Sequence, residues 1–462
     1  MRLRNTAILA LLLVALGAYL YFVESKQLAI EDKKEKILDL AVDDVSDITL
    51  VYPDREIALE RRDGVWHLTK PTEAVADDMT VKNLLRAIAD AEVKKTIDDP
   101  PAELAPFGLA QPMVTIALTA KGAALPVLKV GKTTAVSFST YVQRADQPKL
   151  YLTGSGFHAG MDKQPKDLRD KTIVSFTDGD VTAVTLHGPG GTVALAKQDG
   201  NWQIESPSAH RADNNAVRAF LSAIRNLRAT DFANDNPAPA DLAAYGLDTP
   251  QRQITLRAGE QDVTLQVGKE FDQGLYVRAA GRPTVFVVGK WADRDLDKGV
   301  NDLRDKTLLT FDPTQARTFE IARGEGGSFT LAANGGTWSL AGSDQPIDAG
   351  AVDAFVGALS RLTGTQVLAE SATDLSVFGL APAAVTITVK DQGGASLGTV
   401  HAGSYSPNPP ATEFTAMRDG DSAVFQLRDS QFKQLDKHPG DFVQAPKKPA
   451  PAAAPPPAAA PE

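Results

Sequence analysis

Residues 63–68 read DGVWHL, residues 199–204 DGNWQI and residues 335–340 GGTWSL. The three tryptophans, Trp66, Trp202 and Trp338, stand 136 residues apart in both intervals. A fixed period of this kind marks one folding unit copied along the chain, and it sets the architecture before any local reading does. Each Trp follows a Gly turn on a short apolar stretch. Beyond it the same signals recur in the same order: an Asp-capped helical pattern, an aromatic-Gly-Leu tripeptide and a run of short strands.

The helical pattern is the strongest local signal. Asp77 precedes Val81, Leu84, Leu85 and Ile88; Asp213 precedes Val217, Phe220, Leu221, Ile224 and Leu227; Asp348 precedes Val352, Phe355, Leu359 and Leu362. Spacing near i, i+3, i+4, i+7 places these side chains on one face of a helix. An Asp at the start can accept hydrogen bonds from the first free backbone N–H groups. The tripeptides are Phe107-Gly108-Leu109, Tyr245-Gly246-Leu247 and Phe378-Gly379-Leu380. Their Gly suits a left-handed turn, and Pro112, Pro250 and Pro382 stop any helix from continuing.

Strand patterns follow. Residues 114–118 (VTIAL), 254–256 (ITL) and 385–389 (VTITV) open the series. A second strand ends at Val130-Gly131, Val267-Gly268 and, more loosely, His401-Ala402-Gly403. A third carries Tyr141-Val142, Tyr276-Val277 or Phe414, and a fourth covers 150–152, 285–288 and 424–427. Upstream of Trp66, residues 48–51 and 56–60 flank Pro53-Asp54 as a hairpin. The copies close on LRDKTIVSF (168–176) and LRDKTLLTF (303–311), read as the joint between one block and the next. The third copy is aligned there as LDKHPGDFV (435–443), without the Arg and Thr, because a terminal repeat has no neighbour to follow it.

These readings predict an α+β chain of three tandem repeats, each mainly antiparallel sheet with one principal helix and a short closing helix. The blocks run over residues 43–177, 178–312 and 313–443. Residues 6–23 (TAILALLLVALGAYLYFV) are apolar and uncharged, just long enough at 1.5 Å per residue to span a hydrocarbon core. Arg2 and Arg4 precede them, which keeps the N-terminus cytoplasmic. Ala15-Leu16-Gly17 has the spacing of a cleavage site but falls inside the apolar run, so residues 1–24 read as a retained transmembrane signal anchor. Residues 25–42 read as a juxtamembrane stalk, and 444–462 as a disordered Pro/Ala-rich tail.

Chemistry is harder to find. A net charge of −10 with scattered Lys and Arg argues against nucleic-acid binding. The chain has no cysteine, so disulfides, thiolate metal sites and Cys nucleophiles are excluded. The six histidines (His67, His158, His187, His210, His401, His438) form no HxH or HxxxH pair. Gly131-Lys132-Thr133 resembles the end of a phosphate loop, but Pro126 stands where that loop needs its first Gly. Gly154, Gly156 and Ala159 meet a loose dinucleotide spacing without a βαβ unit around them. Gly188 to Gly191 and Gly324 to Gly327 read as hairpin turns, and the repeated Trp residues as core anchors. No catalytic, cofactor-binding or metal residue is assigned.

The N-terminal anchor, the Trp strand with its Asp-capped helix, the Phe/Tyr-Gly-Leu turn, the Leu-x-Val-Gly strand and the Tyr-Val strand together resemble the bacterial family called domain of unknown function 4340. The resemblance covers about residues 43–443 and brings no catalytic residues with it. Genes of that family often lie beside an auxiliary component of a gliding-motility-type ABC transport system. The resemblance therefore implies an envelope accessory protein working beside such a transporter. With the anchor, the repeats and no assigned active site, the chain is expected to be a non-catalytic accessory or scaffold, in the inner (cytoplasmic) membrane as a single-pass protein with its bulk periplasmic or extracytoplasmic. Competing expectations are an envelope polysaccharide- or lipid-binding module, and a hydrolase with an unrecognised carboxylate site.

Overall fold

The computed structural model describes residue 19 and residues 35–324, 327–408 and 411–444. Apart from Tyr19, the expected anchor at 1–24 lies outside the described residues, and the tail is outside them beyond residue 444. Among the described residues no helix is long and apolar enough to cross a membrane. The chain divides into two compact units. One holds residues up to 173 with 227–237 and 283–289; the other holds 174–226, 238–282 and 290 onward.

The first unit is built on one antiparallel sheet. Its strands run in the order Ala74–Val75, Val65–Lys70, Glu56–Arg62, Val45–Val51, Val114–Ala120, Leu128–Thr133, Ser139–Arg144, Leu150–Ser155 and Lys95–Ile97. Alternation explains why these residues form strands with one covered face. Ile48, Leu50, Ile57, Leu59, Trp66, Leu68, Val114, Ile116 and Leu118 are all buried, with more open residues between them. Helix α1 (Asp78–Ala89) adds Val81, Leu84, Leu85 and Ile88 to the same core. Ile37 and Leu38, inside the stretch read as a stalk, also belong to this core. The first unit further holds the antiparallel pair Asp231–Asn234 and Val285–Val288.

The second unit repeats the pattern. Seven strands of the second copy keep the order of the first: His210–Arg211, Asn201–Ser206, Gly191–Gln198, Val181–Gly188, Arg252–Ala258, Gln261–Phe271 and Gly274–Ala279. The third copy orders Thr337–Leu340, Ser328–Asn334, Thr318–Arg323, Val385–Lys390, Ser396–Asn408, Ala411–Arg418, Val424–Leu427 and Val367–Ala369. Helices α2 (Asn214–Arg225) and α3 (Ala349–Leu359) repeat the role of α1. Asp77, Asp213 and Asp348 cap the three helices, Asp77 accepting from one backbone N–H of the first turn and the other two from two each. Leu227 and Leu362, expected on the helical stripe, lie past the helix ends; both are buried nonetheless. Leu362 sits on a strand, Arg361–Thr363, paired with Thr307–Thr310.

The tryptophans hold one register in all copies, facing Arg61, Lys197 and Ala333 across the hairpin. Trp66 and Trp202 are buried. Trp338 is partly buried and packs on Phe319 at 5.6 Å. The two repeated glycine signals are halves of one contact. Gly108, Gly246 and Gly379 have φ of +71°, +65° and +67°, the left-handed region that only glycine enters without strain. A Cβ on Gly131, Gly268 or Gly403 would come within 2.3, 2.2 or 1.9 Å of a tripeptide carbonyl. The strand glycine is therefore required by the turn packed against it.

Candidate functional site

Polar side chains and backbone groups, together with buried apolar residues such as Met161, Leu168, Leu303 and Phe442, close each copy. Short helices Phe157–Met161 and Pro165–Leu168 end the first copy, Trp291–Leu296 and Val300–Leu303 the second, Asp429–Leu435 and Pro439–Phe442 the third. Backbone N–H groups of Gln164, Gly299 and His438 donate to Asp167, Asp302 and Asp441, each at 2.8 Å. The helix-capping residues Asp77, Asp213 and Asp348 then donate their own N–H to the carbonyls of Leu168, Leu303 and Phe442, again at 2.8 Å each.

That closure corrects the alignment of the third copy. Leu435-Asp436-Lys437 matches Met161-Asp162-Lys163 and Leu296-Asp297-Lys298, one motif earlier than the Leu-Arg-Asp-Lys-Thr segment. Phe442 occupies the place of Leu168 and Leu303, packed on Phe355 at 5.2 Å. Val443 takes the Arg position, since Ile347 bridges Val443 as Ala76 bridges Arg169 and Ala212 bridges Arg304.

The Leu-Arg-Asp-Lys-Thr segments are the joints. Their Lys carbonyls accept backbone N–H bonds: Lys171 from Ala229 at 2.9 Å and Lys306 from Gly364 at 2.8 Å. Glu35 accepts from Val93 at 2.7 Å in the same way, so residues 35–37 occupy on the first copy the place the joints take on the others. In the first unit the Arg169 guanidinium lies 3.6 Å from the Phe232 ring centroid and donates to both oxygens of Asp235. Lys166 pairs with Asp231 at 2.9 Å. Burial acts to raise the Asp231 carboxyl, but the Lys166 ammonium and the Phe232 N–H outweigh it and hold the pKa below its ordinary value. In the second unit Arg304 is only 5% exposed and donates to both Glu370 oxygens at 2.7 Å. His210 stands 3.3 Å from Glu370. The Arg304 Nε is buried with no partner.

A third contact recurs with changed residues. Asp162, Asp297 and Asp436, each just past a short helix, meet Arg55 at 2.7 Å, Arg252 at 3.3 Å and Arg323. These arginines come from three different places in the repeat frame. Tyr52 supports the first such contact, its ring 3.9 Å from the Arg55 guanidinium. Burial pushes its phenol pKa up, with the Lys163 N–H and Arg55 acting against it.

These arrangements can pin segments together; none aligns a nucleophile with a base on a cavity among the described residues. There, too, no group of three His, Asp or Glu side chains is placed to hold a metal. Gly131-Lys132-Thr133 ends a strand, Gly154 lies in another and Gly156 precedes a five-residue helix. His187 and Gly191 face each other's strands in a hairpin, where the His187 ring meets Thr192 at 2.8 Å. Sequence reading missed Asp235 and Glu370. Each lies 66 residues after its Arg, and that shared spacing was the available signal.

The family model described as Domain of unknown function (DUF4340) matches residues 66–203, 202–344 and 338–445. Each match starts on a Trp strand and the first two run into the following one, whereas the first sheet begins a hairpin earlier, at Val45. No curated protein and no solved structure matches the chain. With three matches covering most of its length, the chain belongs to the family Domain of unknown function (DUF4340).

Proposed function

We propose that this chain is a non-catalytic, membrane-anchored envelope protein that acts as an accessory or scaffold of an ABC-type transport system. The apolar run at 6–23 behind Arg2 and Arg4 carries the anchoring part of the reading and directs the bulk of the chain to the periplasmic or extracytoplasmic side. The repeated polar closures and joints support a role through shape, because their charged groups are engaged with one another. The transporter partner rests on the family resemblance.

The test has two parts. Membrane fractionation should recover the full chain with the inner membrane and a chain lacking residues 1–24 in the soluble fraction. In-membrane crosslinking followed by identification of partners should then recover a transporter subunit. A full chain that fractionates as soluble overturns the anchor, and crosslinks confined to glycan or lipid overturn the transporter role in favour of a binding module.

A further inference from the structure

The three copies fill one position differently. Leu50, Leu186 and Ile321 pair with Ile116, Ile254 and Ile387 on the adjoining strand, so Tyr52, Gly188 and Arg323 are equivalent, each two residues further on. In the first copy the Tyr52 hydroxyl donates to the Met161 carbonyl at 2.6 Å and accepts from the Lys163 N–H at 3.0 Å. In the third, Arg323 reaches Asp436 and the Lys437 carbonyl. Gly188 has nothing to offer. The counterparts of Met161 and Lys163 are Leu296 and Lys298, and the Leu296 carbonyl and Lys298 N–H have no hydrogen-bond partner among the described residues.

A cavity of about 200 Å³ remains there, with Leu186, Val193, Ile254, Leu296 and Val300 on its apolar side and Arg252 on its polar side. Arg252 stands where the other copies carry the buried Val114 and Val385. Its side chain is 11% exposed and pairs with Asp293 and Asp297, while its Nε is buried without a partner.

We propose that this cavity binds a phenol, whose ring and hydroxyl take the place that Tyr52 fills in the first copy. A dry apolar cavity of roughly 150 Å³ accommodates benzene in another protein, so the volume suffices for one substituted ring. A hydroxyl is both donor and acceptor, matching one free carbonyl and one free N–H. A guanidinium beside the ring adds cation–π attraction, as Arg55 does for Tyr52. The phenol can be a free small molecule or a tyrosine side chain of a partner. This inference does not depend on the anchor or on a transporter.

Titrations of the full chain with p-cresol, N-acetyl-tyrosinamide and toluene, followed by NMR, test it. We expect saturable p-cresol binding about tenfold tighter than toluene, because toluene offers no hydroxyl to the Leu296 carbonyl and the Lys298 N–H. Binding of p-cresol alone identifies a free phenol as the ligand, and binding of both phenols a side chain as well. Gly188→Tyr should weaken p-cresol by at least about tenfold. The double variant Gly188→Tyr with Arg252→Val, the pair of the first copy, should do the same if the single change fails to fold. Absence of p-cresol binding, toluene binding as tightly, or binding unchanged in a folded filled variant each overturns the proposal.

Discussion

The joints at Arg169 and Arg304 share the residues Leu-Arg-Asp-Lys-Thr and a carboxylate partner 66 positions on, yet they house the guanidinium differently. At the first joint the guanidinium lies over Phe232 at 3.6 Å, with the Lys166–Asp231 pair beside it. At the second, the Phe425 ring centroid lies 5.7 Å from the guanidinium, and Arg304 is enclosed instead. His210 stands at the second joint where the first has Ala74, since Ile204 faces His210 as Leu68 faces Ala74. The shared residues set the path of the backbone; the surroundings decide whether the charge is stacked or enclosed. Stacking places the Phe232 ring against the Arg169 charge, whose side chain is 12% exposed, and the ring compensates it in part. Enclosure makes the carboxylate indispensable, because a buried charge without its partner is costly.

The largest expected effect follows from that difference. Glu370→Ala should destabilise the second unit by about 3 kcal/mol, since it leaves Arg304 buried and unpaired. Asp235→Ala should cost the first unit about 1 kcal/mol, because Phe232 still covers Arg169. Urea unfolding read by segment-resolved hydrogen exchange measures both, and equal losses contradict the contrast. Next in size, Arg169→Lys should cost about 1 kcal/mol by removing the planar stack and the two-oxygen pairing. Phe232→Leu should erase most of that difference between Arg and Lys; an undiminished difference in the Leu background contradicts the stack.

His210→Ala, which gives the second joint the side chain of the first, should cost about 0.5 kcal/mol, the value of one partly exposed polar contact. A loss above about 2 kcal/mol in the same unfolding assay would make the histidine, rather than the arginine, the centre of that joint. The smallest effect is acid sensitivity of the first joint. The Asp231 carboxyl pKa is held below its ordinary value, so its contribution is present above pH ~4 and lost as pH falls through the lowered value. Both partners are about half exposed, so the contribution should shrink in 1 M salt. Lys166→Ala should remove the difference in acid unfolding between low and high salt at this segment, and an unchanged salt dependence contradicts the assignment.

Much of this was legible because it is local. The Asp caps, the apolar helix stripes and the left-handed glycines are properties of a few adjacent residues, and they recur with the period. The strand glycines Gly131 and Gly268 were visible as a motif, but their reason was not: they receive a turn from more than twenty residues upstream. The third closure was misread because Leu435-Asp436-Lys437 looks like a worn copy of Leu-Arg-Asp-Lys. The hydrogen bond from Asp348 to Phe442 and the Ile347–Val443 bridge fix the register. The boundary at residue 43 came too late for a similar reason. Ile37 and Leu38 follow a charged run, and nothing local says they are buried. The cavity beside Gly188 was out of reach, because it depends on what Tyr52 and Arg323 do at the same position in the other copies.

The central claim is that one closure was copied three times and survives even where its sequence has drifted to Phe442-Val443. Native-state hydrogen exchange at the backbone N–H groups of Asp77, Asp213 and Asp348 tests it most directly. The account predicts strong protection at all three, with Asp348 protected as the other two are despite its changed acceptor. Fast exchange at Asp348 alongside protected Asp77 and Asp213 would contradict it.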